Sequence, residues 1–247
     1  GGVTTAMKEF KLKVFRYDPE KDERHHYETY TVDYRDGMTV LEALLWVFEK
    51  KDPSLAFRYS CREAICGSCA MYISGRYALA CKVQVKNALE GDTVTVSPLP
   101  HMPVIKDLVV DQTKLWANYA RVKPWLINDT PPPERERLQS PEDRAKYNKE
   151  IDCILCGSCF ASCPSGANNE EYLGPHALVW ASRFFHDTRD TADIERLEIV
   201  ANEYGVFRCH TIFNCVEACP KHINPTDAIQ RLKKAAMAYK LGLIKKK

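Results

Sequence analysis

All eleven cysteines of this 247-residue chain fall into three runs. The first is Cys61-x4-Cys66-x2-Cys69, with Cys81 further on. The second is Cys153-x2-Cys156-x2-Cys159-x3-Cys163-Pro164, and the third is Cys209-x5-Cys215-x3-Cys219-Pro220. The first run has the plant-type spacing that holds a [2Fe-2S] cluster through four thiolates. Gly67 and Ser68 lie between two of these ligands, where small residues let a tight loop wrap the metal and turn backbone N–H groups toward sulfur. The second run has the bacterial spacing in which three cysteines bind one cubane and the fourth, before proline, ligates another. A partner run is therefore required downstream. Counting back from Cys219-Pro220 with the same spacing places ligands at 215, 212 and 209, where the chain has Cys215, Ile212 and Cys209. Crossing the runs puts Cys153, Cys156, Cys159 and Cys219 around a [4Fe-4S] cluster. It leaves Cys163, Cys209 and Cys215, three ligands without a fourth, for a [3Fe-4S] cluster. Ile212 in place of a thiolate removes negative charge beside that cluster and favours its reduced state.

Other uses of cysteine fit less well. An odd number of cysteines and three-residue spacings argue against a disulfide framework. Structural zinc shares the C-x2-C spacing but takes four ligands per closed site, and three overlapping runs do not divide that way.

Two kinds of element must position these runs. Glu9–Arg16 and Tyr27–Val32 alternate like half-buried strands, joined by a charged loop from Asp18 to His26. Asp36-Gly37 is a turn, and Thr39 with Glu42 forms a capping box opening a helix. With Leu41, Leu44, Leu45, Trp46 and Phe48 that helix is apolar almost all round, which predicts burial under a sheet. Further strands are expected at Ala70–Ile73 and Thr93–Val96, completing the pattern of a β-grasp ferredoxin domain over residues 1–106. Residues 107–247 read as all-α, with helices at Asp111–Arg121, Pro141–Lys149, Pro175–Asp187, Ala192–Glu203 and Pro225–Leu241. Three of these open with proline, whose missing N–H costs nothing at the first helical position. Pro131-Pro132-Pro133 and the charged residues after it read as an extended surface segment. The fold class is thus α+β, a [2Fe-2S] ferredoxin-like domain followed by a two-cluster helical domain.

Thirty-five basic and 33 acidic residues leave a net charge of +2, scattered except for Lys245–Lys247, so nothing points to nucleic acid. No run approaches the roughly 18 apolar residues of a membrane span. The first residues, Gly1 to Thr5, show neither a signal-peptide core nor an Arg-rich transit pattern. Thiolate usage implies a reducing compartment. There is no G-x-G-x-x-G for a dinucleotide, so chemistry that uses one would need another chain. The tryptophans at 46, 116, 125 and 180 read as core side chains, and His25, His26 and His186 as isolated. Arg62, Arg208 and Lys221 are candidates to balance thiolate charge or meet a partner subunit.

Across nearly its whole length the chain resembles the iron-sulfur subunit of succinate dehydrogenase and fumarate reductase, the complex II family. The resemblance is carried by Arg58-Tyr59-Ser60-Cys61-Arg62-Glu63-Ala64-Ile65-Cys66-Gly67-Ser68-Cys69, by Arg208-Cys209-His210-Thr211-Ile212-Phe213-Asn214-Cys215, and by Ala218-Cys219-Pro220-Lys221. It implies a flavoprotein partner whose FAD oxidises succinate, three clusters in this chain, and a membrane anchor with quinone, with or without haem b. It also implies that Pro164, Ser165, His210 and Ile212 form the quinone-facing edge. His210 there would bond a quinone-site water or a haem propionate, or else bond to backbone beside the cluster.

One departure bears on the quinone. Many succinate dehydrogenases carry a tryptophan pair shortly after the cysteine matching Cys163, whereas this chain reads Pro164-Ser165-Gly166-Ala167-Asn168-Asn169. The spacing from Cys163 to Gly174-Pro175 is more similar to the fumarate reductase branch, and Arg208-Cys209-His210-Thr211-Ile212 to the succinate dehydrogenase branch. Quinol:fumarate reduction is therefore the alternative direction. The iron-sulfur subunit of another flavoprotein reductase and a free ferredoxin-type carrier are further alternatives, which co-purifying subunits would separate. The expected location is peripheral, on the inner, cytoplasmic face of the cytoplasmic membrane, or on the matrix side of the mitochondrial inner membrane in a eukaryote.

Overall fold

The structure is a computed structural model and describes residues 8–244. The expectations for Gly1 to Thr5 and for Lys245–Lys247 lie outside the described residues. The chain divides into two compact units, Gly1–Asp111 and Gln112–Lys247.

The first unit is built on strands β1 (Glu9–Arg16), β2 (His26–Asp33), β3 (Ala70–Ile73), β4 (Arg76–Leu79) and β5 (Thr93–Ser97), in the sheet order β2-β1-β5-β3-β4. β1 and β5 run parallel and the other neighbours antiparallel. Alternation along β1 turns Phe10, Leu12 and Val14 inward. α1 (Val40–Lys50) opens at the expected capping box, with Glu42 N–H donating to Thr39 Oγ1 and Thr39 N–H to Glu42 Oε2. It is not buried all round. Its covered stripe is Val40, Leu41, Ala43, Leu44 and Val47, while Phe48 is 40% exposed and meets Phe57 edge-on. One face of a helix suffices to cover the sheet.

α2 (Val85–Ala88) and the hairpin β6 (Val104–Lys106) and β7 (Val109–Val110) complete the unit. The hairpin carries the first unit past residue 106, because Asp107 at its tip is a buried anchor. Its carboxylate accepts from Arg16 Nε at 3.0 Å and from the backbone N–H groups of Tyr17 and Ala56, each at 2.9 Å. Arg16, the next inward position of β1, also pairs with Glu28 and Asp52.

The second unit is helical, with α3 (Thr113–Arg121), α4 (Pro141–Ala145), α5 (Ser158–Ala161), α6 (Pro164–Ala167), α7 (Pro175–Phe185), α8 (Asp193–Val200), α9 (Asn214–Glu217) and α10 (Pro225–Lys240). Proline opens α4, α7 and α10, and Ser140 and Asn224 cap the backbone N–H groups of Asp143 and Asp227. Several helices are shorter than their sequence windows. α4 stops at Ala145 and gives way to a 3-10 turn at Glu150–Asp152, and α8 stops at Val200. α7 ends at Phe185, after which the Asp187 carboxylate accepts from the Arg189 backbone and side chain. Leu173, Ala177, Leu178, Leu197, Val200, Ile229 and Leu232 form the core between α7, α8 and α10.

Candidate iron-sulfur centres

In the first unit the loop carrying Cys61, Cys66 and Cys69 holds Arg62, Ala64 and Gly67 in the left-handed region, with φ of 60°, 57° and 75°. For Arg62 and Ala64 this costs of order 1 kcal/mol each. The return is a concave row of donors. Backbone N–H groups of Glu63, Ile65 and Cys66 approach Cys61 Sγ at 3.4, 3.4 and 3.3 Å, and that of Ala64 approaches Cys81 Sγ at 3.3 Å. Hydrogen bonding from Ser68 is the main cause that brings the Cys66 thiol down to about 6, whereas burial pushes Cys69 up to about 12. All four cysteines of the run thus share one group of contacts. The N–H donors at 63 to 66 were not legible in the sequence, where Gly67 and Ser68 stood out. The Arg62 guanidinium lies over the Tyr59 ring at 5.4 Å.

In the second unit the two cysteine segments are the same fold written twice. Each begins with a 3-10 turn, Glu150–Asp152 or Val206–Arg208, and each next cysteine is extended, Cys153 at φ −64°, ψ 118° and Cys209 at φ −72°, ψ 118°. Left-handed residues follow at Leu155 and Gly157 in one, and at Thr211 and Phe213 in the other. The short helices α5 and α9 come next. Superposing these features sets Cys153 on Cys209, Cys159 on Cys215, Cys163 on Cys219, and Cys156 on Ile212. Ile212 thus stands at the backbone position that Cys156 holds in the first segment. Gly157 adopts its left-handed φ freely, whereas Phe213 does so at a cost of about 1 kcal/mol.

The thiols gather across the two segments. Cys153, Cys156, Cys159 and Cys219 line one hollow, together with His176, Val179 and Lys221. Cys163, Cys209 and Cys215 line a second, with Pro164, Ser165, His210 and Ile212 also in its lining. Asn214 Nδ2 donates to Ser162 O at 3.3 Å and so ties the two segments together. Among the described residues no group of three or more His, Cys, Asp or Glu converges as the ligands of a single metal ion do. Thiolates gathered in this way are the ligands that hold iron-sulfur clusters. None of the cysteines is in a disulfide.

Burial pushes the Cys153 thiol up to about 11, that of Cys159 well above its ordinary value, and those of Cys156, Cys163 and Cys215 upward. Crowded, desolvated thiols of this kind suit a group that brings compensating positive charge. Hydroxyls already face two of them, Ser158 Oγ at 3.5 Å from Cys156 Sγ and Thr226 Oγ1 at 3.4 Å from Cys215 Sγ. The Ile223 N–H approaches Cys219 Sγ at 3.4 Å. His176, absent from the sequence reading, is fully buried and held neutral by desolvation, its value lowered to about 4. Its Nε2–H donates to Leu115 O at 2.9 Å.

Of the other expected residues, His210 is exposed, Ser165 is buried and Ile212 is 49% exposed. Trp116 and Trp125 are 46% and 52% exposed and do not belong to the core. Among the described residues no helix is long and apolar enough to cross a membrane.

Comparison with known proteins agrees with this construction. Residues 11–117 match the family model of a 2Fe-2S iron-sulfur cluster binding domain, and residues 145–220 that of a 4Fe-4S dicluster domain. The chain is 46% identical over 225 residues to the succinate dehydrogenase iron-sulfur subunit of Paracoccus denitrificans, covering 90% of this chain and 86% of that one. It is 49% identical over 228 residues to the mitochondrial succinate dehydrogenase (ubiquinone) iron-sulfur subunit 1 of Oryza sativa subsp. japonica, covering 90% and 80%. A solved chain of the Mycobacterium smegmatis Sdh1 complex in the apo form superposes with a TM-score of 0.82 at 31% identity, covering 96% of this chain and 98% of that one. A two-domain chain whose thiols gather in one surface loop and two crossed hollows, with these relatives, belongs to the family of succinate dehydrogenase iron-sulfur subunits.

Proposed function

We propose that this chain conducts electrons within a succinate:quinone oxidoreductase, taking them from a flavoprotein that oxidises succinate on FAD and delivering them to quinone in a membrane anchor. The observation that carries this is the doubled cysteine segment with its hollows crossed and one thiol replaced by Ile212. Cys61, Cys66, Cys69 and Cys81 would hold a [2Fe-2S] cluster, Cys153, Cys156, Cys159 and Cys219 a [4Fe-4S] cluster, and Cys163, Cys209 and Cys215 a [3Fe-4S] cluster. When bound, these clusters supply one-electron chemistry at potentials set by their surroundings.

The chain's own residues do the tuning. Four backbone N–H groups on Cys61 and Cys81 favour added negative charge at the first site, and Ser158 and Thr226 do the same at the other two. Pro164, Ser165, His210 and Ile212 would form the edge facing quinone. Their place on the wall of the second hollow supports that role, and the exposed Ile212 and Phe213 leave an apolar face there. The anchor, with or without haem b, would hold the chain against the inner face of the membrane.

The test is low-temperature electron paramagnetic resonance of the anaerobically purified complex, before and after succinate and then dithionite. A three-iron signal in the oxidised protein that succinate bleaches, with a reduced [2Fe-2S] signal appearing, is the expected result. Clusters that dithionite reduces and succinate does not would move the chain to another flavoprotein's reductase.

A further inference from the structure

The charge of the chain is unevenly placed. Residues 228–247 hold seven Lys and Arg and no Asp or Glu, and the other 28 basic and 33 acidic residues leave the rest of the chain at −5. Most of this basic end is α10. Gln230, Lys234, Met237 and Leu241 are spaced four, three and four residues apart and so fall on one side of the helix. Lys234, Met237 and Leu241 are exposed there, whereas Leu232 and Ala236 on the opposite side are fully buried. Arg231 pairs with Glu150 and Asp227, but Lys233, Lys234 and Lys240 form no ion pair among the described residues. Lys233 Nζ donates to Cys209 O at 3.1 Å, and the Lys240 ammonium lies over the Phe207 ring at 5.2 Å.

A Schellman turn closes the helix. Gly242, at φ 71°, donates its N–H to Tyr239 O at 3.0 Å, and Leu243 N–H donates to Ala238 O at 2.9 Å. The last residue of that motif frequently packs back on the helix. Here Leu241 and Leu243 are 71% and 75% exposed, and Ile244 packs against the core instead. Two leucines are thus held out at the end of a lysine-bearing face, with Lys245–Lys247 next in the sequence. The other end of the face joins the third cysteine run, where Gln230 Nε2 donates to Thr211 Oγ1 at 3.0 Å beside the exposed Ile212 and Phe213.

Resting on the proposed function only for the nearness of a bilayer, we infer that the outer face of α10, from Lys234 to Leu243, binds the anionic lipid surface of the membrane. The chain then has a lipid contact of its own besides its anchor subunit. Apolar side chains interleaved with lysines suit that surface, because the former enter the headgroup boundary while the ammonium groups meet lipid phosphates. Nucleic acid would supply phosphates but no apolar layer for Met237, Leu241 and Leu243.

The experiment is flotation of the purified full-length holoprotein with vesicles of phosphatidylcholine, alone or mixed with phosphatidylglycerol, at low and high salt. The parent should float with the anionic vesicles, and high salt should release it. Lys234→Gln should weaken this binding about fivefold, and adding Lys240→Gln about fivefold more. Leu241→Ser with Leu243→Ser should weaken it and leave its salt dependence in place. Lys51→Gln with Lys86→Gln, at exposed positions of the first unit, should change nothing. Equal binding to neutral and anionic vesicles, or an equal loss in the Lys51 and Lys86 variant, would overturn the inference. So would hydrogen exchange of α10 in the whole complex that is equally slow in neutral and anionic nanodiscs, since another subunit would then cover the face. Cluster spectra of the same preparation report on the proposed function, so the two can fail separately.

Discussion

Arg16 should prove to be the stabilising centre of the first unit. It is a charged residue on the inward face of β1, 8% exposed, where Phe10, Leu12 and Val14 have set an apolar register. Its guanidinium meets Asp107 at 3.0 Å, Glu28 at 2.9 Å, Asp52, and Ser54 Oγ at 2.9 Å. Arg16→Met preserves length and apolar volume but strands Asp107, which is 1% exposed. Removing one member of a buried pair costs about 3–5 kcal/mol, because the remaining charge is left desolvated. Asp107 would keep the Tyr17 and Ala56 N–H groups, and Glu28 reaches solvent, which puts the expected loss at the lower end, about 3 kcal/mol. That is about a hundredfold in the opening equilibrium. Native-state hydrogen exchange of the holoprotein, read by mass spectrometry on peptides from β1, measures it directly. Because Asp107 also holds the Ala56 N–H just before the cysteine loop, visible absorbance from the [2Fe-2S] cluster should decay faster too. Acceleration of β1 exchange by less than about tenfold, roughly 1.4 kcal/mol, would refute the reasoning. So would an equal acceleration in α7 of the other unit.

The crossed ligand set predicts that Cys219→Ser removes the [4Fe-4S] signal and Cys163→Ser the three-iron signal, the reverse of what sequence proximity would give. Spectra of the two variants settle it. Ile212→Cys should admit a fourth iron on anaerobic loading and abolish the three-iron signal, because the backbone there matches that of Cys156. A persisting three-iron spectrum would count against the superposition. Asp187 is buried, which alone would raise its carboxyl, but hydrogen bonds from Arg189 and Arg183 outweigh this and hold it below its ordinary value of 3.8. Its stabilising contribution is therefore full above that value and lost as pH falls through it toward the lower folded one. Asp187→Asn should cost about 3 kcal/mol at pH 7, with the difference from the parent narrowing below about pH 4 in thermal melts.

The metal chemistry was legible because cysteine spacing is read directly from the chain, and the gap at Ile212 follows from arithmetic on that spacing. β1, the capping box at Thr39 and the proline-led helices were legible for a similar reason, since alternation, side-chain caps and a missing N–H are local properties. The rest depends on partners distant in sequence. β4 and the β6–β7 hairpin are too short to show a period, and Asp107 becomes an anchor only through Arg16, far along the chain. The left-handed conformations of Leu155, Thr211 and Phe213 carry no compositional sign, because such residues avoid that region unless the surroundings impose it. Trp180 read as core, whereas it is half-buried and packs against the core beside Tyr119 and Phe184.

The exchange of a ligand between the doubled segments has a bearing on how the protein is made. On the proposed ligand set Cys159 and Cys219 share one cluster, so metal would close a loop of roughly 60 residues, a cross-link that removes about 4 kcal/mol of unfolded-chain entropy in the usual loop model. A second closure, from the other hollow, would interlock with it. Neither could be completed before the ribosome delivers Cys219 or Cys215, so the second unit would finish its metal centres after most of the chain has emerged. The first unit, whose four cysteines lie between 61 and 81, has no such delay. Within one polypeptide, cluster insertion would then be ordered by topology, with the first unit's loop ready early and the crossed pair locking the fold last.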